Sequence, residues 1–377
     1  MILSYKYRLY PSNQQKAQLT TMLGSLCDLY NAGLQQRIEA YQRHGRTLRY
    51  VEQSAELKAV RAADDILGGL SFSTEQQVLR RLDKAFRAFF GRLKKGGKAG
   101  FPRFRAKSMF DSAEMRVGDG LTIRKSKRLR ITGIDGEIKV KWHRDIPNEA
   151  ELGAAVVSRA NGRWYICFQI ELPNASSRTD FAPIGIDLGL TSLVALSNGE
   201  TIATPQITKR AAKGLRRRAR ALSRCKRGSK RRAKVRLLKA RYEAKAANSR
   251  RDGLHKLSAD IAHRFSHIAM EDLNIKGLAG GMLAKSVHNA SWGTLTKMIA
   301  YKAEKAGGVV ALVNPRGTSQ TCPECGTVVA KTLRVREHNC ECGCVLDRDV
   351  AAARVVLHRA DFPDGTSGQT PSQRNAA

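Results

Sequence analysis

Residues 184–196, IGIDLGLTSLVAL, place one carboxylate, Asp187, in an otherwise apolar stretch that continues into the turn SNG. Apolar segments on either side of such a turn predict two strands joined in a hairpin. Two later segments also set an acid beside patterned apolar residues: SHIAMEDLNI carries Glu271, and DRDVAAARVVL carries Asp349. The pattern predicts one metal site assembled from distant segments, in a chain that is otherwise rich in positive charge.

Composition points to a large basic protein that binds a polyanion. The chain has 377 residues, 42% of them hydrophobic, which is enough to bury a core and predicts two or three domains. Its 67 Lys and Arg against 33 Asp and Glu leave a net charge of +34, so nucleic acid is the expected partner. No membrane is expected, because no apolar run approaches the roughly 18 to 20 residues of a spanning helix, and MILSYKYRLYP is unlike a signal peptide.

The first half of the sequence predicts a strand, a helical region and then a small β-barrel or sheet. YKYRLY alternates apolar and basic residues as a half-buried strand does, and residues 12–91 are mostly helical in pattern. One helix runs to about Gly45, and a second begins near Ser73. From about 115 to 172, short segments of β-branched and aromatic residues alternate with Gly, Asn and Pro, which predicts the barrel or sheet.

A basic segment, GRLKKGGKAGFPRFRAKS, follows the helical region and contains no acid. Its glycines allow the backbone to approach a phosphate chain closely, and its phenylalanines can stack on bases. The alternative is a basic loop whose phenylalanines are packing anchors. We expect nucleic-acid contacts from Lys94, Lys95, Lys98, Phe101, Arg103 and Arg105.

The strongest charge run spans residues 209–250, with 19 Lys and Arg against a single acid, Glu243. A solvated helix face is the ordinary explanation of a charge run. The self-repulsion of this one favours a contact with RNA or DNA. The residues that we expect to bind are Arg216, Arg217, Arg218, Arg231 and Arg232.

The order of elements after residue 181 predicts the fold class. It runs strand, hairpin, basic helix, helix, a strand ending in an acid, helix, strand and closing helix, which is the order of an RNase H-like α/β domain. Such folds bring carboxylates to one sheet edge. Asp187, Glu271 and Asp349 would then hold two Mg²⁺ or Mn²⁺ ions for phosphodiester hydrolysis. Taken singly, these acids could instead cap a turn, lie on the surface and cap a helix.

Five of the eight cysteines crowd one window, which indicates a metal site rather than disulfides: Cys322, Cys325, Cys340, Cys342 and Cys344. Cys322-Pro-Glu-Cys325-Gly is a knuckle-type pair, and it predicts a structural four-thiolate Zn²⁺ site. The second pair departs from the usual gap of two residues. Cys340 with Cys344 has a permitted spacing, Cys340 with Cys342 is tighter, and His338 could intrude.

Several motifs together resemble one protein family. GIDLGL, the basic helix followed by LHKLS, MEDLNIKGL, SWGTLTKMIAYKAE and TSQTCPECG leading to DRD resemble the TnpB (OrfB) proteins of bacterial and archaeal insertion sequences, relatives of the type V CRISPR effectors. The resemblance implies an RNA-guided DNA endonuclease, with a guide RNA from the transposon end and a double-stranded DNA target as partners. It also implies a cytoplasmic prokaryotic protein, nucleoid-associated when bound to DNA, and leaves the oligomeric state open.

The resemblance further implies a domain order over residues 1 to about 360. An N-terminal β-barrel-like wedge is interrupted by a helical recognition insert, and a RuvC-like nuclease domain is interrupted by a zinc-binding insert. The expected bounds are 1–11 and 115–180 for the wedge, 12–114 for the helical insert, 181–317 and 346–362 for the nuclease domain, 318–345 for the zinc-binding insert, and 363–377 for a disordered tail.

The family pattern also assigns the site residues. Its catalytic carboxylates match Asp187, Glu271 and Asp349, with Asp347 as the alternative for the third role. Ala351 stands where the family has Asn, which removes an amide that could tune the site. Ala351 therefore keeps open an RNA-guided repressor that binds DNA without cutting it. A guide-independent transposase, which shares the two-metal chemistry and the fold, also stays open.

The family pattern favours one choice among the cysteines. Cys342 stands five residues before Asp347, as the family's fourth cysteine usually does. The resemblance therefore implies a zinc site made of Cys322, Cys325, Cys340 and Cys342.

Overall fold

The computed structural model describes residues 1–178, 180–203, 207–278, 291–332 and 335–362, and the tail expected to be disordered lies outside them. The chain divides into two units, Met1–Pro173 and Asn174–Ala377. Each unit has its own buried apolar core. Within the described ranges, no helix has the length and apolar character needed to cross a membrane.

Helices occupy most of the first unit up to Lys94. Helix α1 (Asn13–His44) begins at a capping box with Ser12 and ends at Gly45, whose φ of 61° is the left-handed conformation that glycine adopts easily. The predicted end near Gly45 is confirmed. A helix near Ser73 is also confirmed, but two more helices precede it. These are α2 (Tyr50–Ala63) and α3 (Asp65–Gly68), followed by α4 (Phe72–Lys94).

The N-terminal segment of the first unit is one strand of its sheet. They are β1 (Ile2–Tyr10), β2 (Ser112–Arg116), β3 (Leu121–Ile123), β4 (Leu129–Ile131), β5 (Lys139–Lys141), β6 (Glu151–Ala160) and β7 (Arg163–Glu171). Five of them form an antiparallel sheet in the order β2-β6-β7-β1-β5, and β3 pairs with β4. The barrel or sheet expected here is therefore a sheet in which β1 is an inner strand, and it begins three residues earlier than predicted.

The second unit alternates strands and helices. Its elements are β8 (Pro183–Asp187), β9 (Ser192–Leu196), β10 (Thr201–Ala203), α5 (Ile207–Ser223), α6 (Lys230–Arg264), β11 (His267–Glu271), α7 (Ile275–Leu278), α8 (Trp292–Lys305), β12 (Val309–Val313), β13 (Glu337–Asn339), β14 (Val345–Asp347) and α9 (Arg348–His358). The main sheet has the order β10-β9-β8-β11-β12. Strands β8, β9 and β10 are antiparallel, whereas β8, β11 and β12 are parallel.

Small residues let α9 pack directly on this sheet. Gly185 pairs with Ala269 on the neighbouring strand, and both are buried. A Cβ on Gly185 would lie 1.9 Å from the carbonyl oxygen of Ala353, so only glycine allows the helix backbone to come this close. The helix contributes three consecutive buried alanines, from Ala351 to Ala353.

Replacing Gly185 with alanine should therefore displace α9 and destabilise the second unit. We expect Gly185→Ala to lower the free energy of unfolding by about 3 kcal/mol or more, because the new methyl group meets backbone rather than a flexible side chain. Denaturant unfolding of the full chain measures this. Gly253→Ala on α6 is the matched control, since a Cβ there meets no atom within 4 Å. Equal stability of the two variants would contradict the close contact.

Candidate functional site

The three predicted carboxylates lie at one edge of the second sheet. Asp187 and Glu271 are the last residues of β8 and β11, and the register that pairs Met270 with Ile186 makes them the next residues along both strands. Because side chains alternate along a strand, Asp187 shares the sheet face of Gly185, on which α9 packs. Asp349 lies in the first turn of α9, with Oδ2 3.5 Å from the position of a Cβ on Gly189.

Burial makes these acids difficult to ionise without a cation, and repulsion from the other two adds to this at Asp187. Burial, and then the negative charges of Glu271 and Asp349, raise the pKa of Asp187 to about 8. Burial also raises the pKa of Glu271 and of Asp349. A divalent cation would relieve the repulsion, and these oxygen donors suit a hard ion such as Mg²⁺ or Mn²⁺.

The structure separates the roles of Asp347 and Asp349. Asp347 is the N-cap of α9, with Oδ1 accepting hydrogen bonds from the backbone amides of Asp349 (2.9 Å) and Val350 (3.2 Å). Asp349 is the residue whose charge acts on Asp187. This division favours Asp349 over Asp347 as the third member of the site.

The carboxylates are not gathered as tightly as the cysteines are. In the described part of the chain, the groups of three or more His, Cys, Asp or Glu ligand atoms that lie within 4.8 Å of one another both belong to the cysteine-rich segment. The oxygen atoms of the three carboxylates are therefore spread more widely than the sulfur atoms of the cysteine cluster.

Two residues that sequence reasoning did not single out support the carboxylates. Thr318 is 3% exposed, and its hydroxyl donates a hydrogen bond to Glu271 Oε1. The indole Nε1 of Trp292 donates to the Gly189 carbonyl oxygen at 3.2 Å, which holds the turn after Asp187. Both residues lie in motifs quoted above, TSQTCPECG and SWGTLTKMIAYKAE, but nothing in those motifs indicates which partner each side chain meets.

Arg359 ties the loop before the cysteine cluster to the end of α9. Its guanidinium donates to the carbonyl oxygens of Asn314 (3.3 Å) and Arg316 (2.8 Å) and to Thr321 Oγ1 (3.3 Å). Its charge also lowers the pKa of Glu271, which opposes the effect of burial. The loop that carries Thr318 is thus held between a strand, a helix and the cysteine cluster.

Four of the five clustered cysteines form a compact set of sulfur atoms. The Sγ atoms of Cys322 and Cys342 are 3.7 Å apart, and those of Cys325 and Cys340 are 3.5 Å apart. A tetrahedral zinc ion with Zn–S bonds of about 2.3 Å needs sulfurs about 3.8 Å apart, so the set fits such an ion. Hydrogen bonds from Thr327 lower the pKa of the Cys325 thiol to about 6, whereas the pKa values of Cys340 and Cys342 in the same set are raised.

The fifth cysteine belongs to a second group. Cys344 lies with Cys322 and His338 in a set whose ligand atoms are also within 4.8 Å of one another. The structure therefore groups Cys340 with Cys342, and it places Cys344 with His338 rather than with Cys340. Cys322 is common to both groups.

The first basic segment is exposed, apart from one ring. Phe101 sets its ring edge-on against Phe86 (5.5 Å between centroids) and Phe89 (5.3 Å), yet it remains 47% exposed. One side of the Phe101 ring therefore serves as a packing anchor, and the rest of the ring is exposed to solvent, where a ligand can reach it. The remaining residues expected to bind nucleic acid here are exposed: Lys94, Lys95, Lys98, Arg103 and Arg105.

Some arginines of the second basic segment hold the α5–α6 hairpin together. The Arg218 guanidinium lies 3.8 Å from the centroid of the Tyr242 ring, and Arg232 donates to the carbonyl oxygens of Leu222 (3.1 Å) and Cys225 (3.0 Å). These two are half-buried. The exposed members of the predicted set are Arg216, Arg217 and Arg231.

The chain is a mixed α/β, multidomain protein with a four-cysteine cluster. Its fold is similar to that of the protein in a solved cryo-EM structure of a Cas12f1–sgRNA–target DNA complex, with a TM-score of 0.58, 15% identity, and coverage of 94% of this chain and 98% of that one. Family profiles match three segments: "Helix-turn-helix domain" of OrfB at 1–46, OrfB "Probable transposase" at 166–281, and "Cas12f1-like, TNB domain" at 292–356.

Relatives in two bacteria then specify the family. A Streptomyces pristinaespiralis protein described as "Putative RNA-guided DNA endonuclease" is 34% identical over 94% of this chain and 88% of its own length. The Escherichia coli protein InsQ, described in the same way, is 26% identical over 94% of this chain and 91% of its own. The chain belongs to the TnpB (OrfB) family.

The ionisation of Asp187 should make the metal-free protein less stable as pH rises. The pKa of Asp187 is about 8 in the folded chain, against an ordinary value of 3.8 in the unfolded chain. At a pH between 3.8 and about 8, the folded state therefore holds a proton that the unfolded state has lost. The free energy of unfolding therefore falls as pH rises from about 4 to about 8. Asp187→Asn removes this effect, and we expect it to exceed the wild type in stability at pH 8 by on the order of a few kcal/mol.

Urea unfolding in magnesium-free buffer at pH 5 and pH 8 measures the difference. Asp252→Asn, at a side chain that is 63% exposed, controls for the loss of a carboxylate. A stability gap between Asp187→Asn and the wild type that is the same at both pH values would contradict the buried, repelled state of Asp187.

Proposed function

We infer that this protein is an RNA-guided DNA endonuclease that cuts phosphodiester bonds with a metal-dependent, RuvC-like site. The observation that carries the proposal is the meeting of Asp187, Glu271 and Asp349 at one sheet edge, in a family whose relatives are described as RNA-guided DNA endonucleases. An intact set of carboxylates favours cutting over guided repression. The family relationship favours a guided nuclease over a guide-independent transposase.

The sheet supports an RNase H-like assignment for the nuclease domain. Its order, β10-β9-β8-β11-β12, has an antiparallel hairpin on one side of β8 and parallel strands on the other, with α9 across the face. We assign 181–317 and 346–362 to this domain and 318–345 to the zinc-binding insert. We assign 12–114 to the helical recognition insert, and 1–11 and 115–180 to the wedge, whose last residues extend beyond the end of the first unit at Pro173.

The carboxylates would hold two divalent ions, which when bound supply an activated water and stabilise the leaving oxygen of the cleaved bond. The role of the chain is to position the donors and to tune their charge. Asp187 must lose its proton before it can bind a cation. Thr318 fixes one Glu271 oxygen, and the charges of Arg336 and Arg348 lower the pKa of Asp349 against the effect of burial.

The positive surface supplies the nucleic-acid partners. Exposed side chains of the two basic segments would neutralise the phosphates of a guide RNA from the transposon end and of the target duplex, while pairing between guide and target reads the sequence. We assign recognition of the short DNA motif beside the target to the first unit. In the second unit, the Cys322, Cys325, Cys340 and Cys342 thiolates would bind a structural Zn²⁺ ion that holds together an insert with little core of its own.

The direct test is cleavage of a plasmid library that carries one target beside randomised flanks, with protein purified together with RNA from its own locus. We expect cuts that require magnesium and RNA and that are enriched for one flank. Asp187→Ala should abolish cutting and leave RNA binding nearly unchanged, because the carboxylate would serve the metal and belongs to neither basic segment. RNA-dependent target binding without cuts would instead support the repressor.

Thr318 gives a finer test of the site. Thr318→Val keeps the shape of the side chain and removes the hydroxyl that fixes Glu271, so the cleavage rate or the affinity for magnesium should fall by about 10- to 100-fold. Thr318→Ser keeps the hydroxyl and should restore most of the loss. The measurement is the cleavage rate as a function of magnesium concentration, with unfolding curves for both variants. An equal loss in the two variants would assign Thr318 a packing role only.

A further inference from the structure

The cysteine-rich segment contains more ligands than one zinc ion can use. Two ligand sets are present, one of Cys322, Cys325, Cys340 and Cys342, and one of Cys322, His338 and Cys344. Tetrahedral zinc takes four ligands, so the ion cannot bind all six side chains. Because Cys322 belongs to both sets, an ion can pass from one to the other without leaving the protein.

His338 is positioned as an alternative metal ligand. The ring is 0% exposed, and its Nδ1 is in contact with the Lys331 ammonium group. The other ring nitrogen, Nε2, is buried and makes no hydrogen bond to any described residue. A buried polar nitrogen without a partner is costly, and a metal ion on Nε2 would satisfy it.

The hairpin β13–β14 brings the second set together. His338 pairs with Leu346 across the hairpin, and Cys344 immediately precedes β14. The turn between them is closed by hydrogen bonds from Cys340 N to the Cys344 carbonyl oxygen (3.0 Å) and from Gly343 N to the Cys340 carbonyl oxygen (2.9 Å). One compact turn therefore carries ligands of both sets.

The two sets differ in their access to solvent. Cys325 and Cys342 of the first set are exposed, whereas in the second set Cys322 and His338 are buried and Cys344 is half-buried. Exposed thiolates are the ones most open to competing reactions in solution. The second set, called the inner set below, is therefore less exposed to solvent than the first.

We propose that the insert binds one zinc ion in either of two ligand sets that share Cys322: the four-thiolate set, and the inner set of Cys322, His338 and Cys344 when Cys342 is no longer able to bind. In the exchange, Cys322 stays bound, His338 Nε2 and the Cys344 thiolate replace the other sulfurs, and solvent fills the fourth position. The Cys344 thiol gives its proton to one released thiolate, and the remaining released thiolates would take protons from solvent. Cys322 is then the one ligand that no neighbour replaces.

Zinc content of full-length variants tests this proposal. We expect one zinc per chain in the wild type, in Cys342→Ser and in Cys344→Ser, and loss of zinc in Cys342→Ser/Cys344→Ser and in Cys322→Ser. Cys225→Ser, which changes a half-buried cysteine outside both sets, is the matched control. X-ray absorption at the zinc edge should find sulfur ligands only in the wild type and in Cys344→Ser. A nitrogen ligand at about 2.0–2.1 Å should be added in Cys342→Ser.

The outcomes separate this inference from the metal site on which it rests. A wild type without zinc would overturn the proposed zinc site itself. Zinc in the wild type but not in Cys342→Ser, or not in Cys344→Ser, would leave one fixed ligand set and overturn the exchange alone. Zinc retained in the double variant, or an all-sulfur site in Cys342→Ser, would also overturn it.

Discussion

The contact between the backbone of α9 and the face of β8 is the constraint on which the candidate active site depends. Gly185 admits the Ala353 carbonyl at a distance that any side chain would prevent. Two residues further along the same strand face is Asp187, and at the start of the helix is Asp349. Close packing at one glycine therefore sets the distance between carboxylates that are separated by more than a hundred residues in sequence.

This arrangement sets function against stability. Partial burial raises the pKa of all three carboxylates, and repulsion from Glu271 and Asp349 adds to the effect on Asp187. Neighbouring groups offset part of this, among them the Thr318 hydroxyl and the Arg359 guanidinium beside Glu271. Thr318 belongs to the loop that leads to the cysteine cluster, and Arg359 donates hydrogen bonds to that loop, so the cysteine cluster and the acidic site are linked through it.

Positive charge follows a similar division between structure and binding. A net charge of +34 needs a polyanion, yet not every arginine in the basic runs is available to one. Arg218 and Arg232 meet acceptors and a ring inside the α5–α6 hairpin, while Arg216, Arg217 and Arg231 face solvent. Some arginines of the charge run therefore stabilise the hairpin, and others are exposed to solvent.

Sequence alone determined the local elements, since these depend on nearest neighbours. The hairpin strands around SNG, the end of α1 at Gly45 and the knuckle at Cys322 and Cys325 follow from alternation, a left-handed glycine and ligand spacing. Helices α2 and α3 lie within the stretch of residues 12–91 that was predicted to be mostly helical, but the sequence pattern did not separate them as two elements. Only the tertiary structure decided that Asp347 caps while Asp349 faces Asp187, that Thr318 meets Glu271, and that Cys342 and Cys344 enter different ligand sets. Those outcomes depend on distances between segments remote in sequence, which no local pattern encodes.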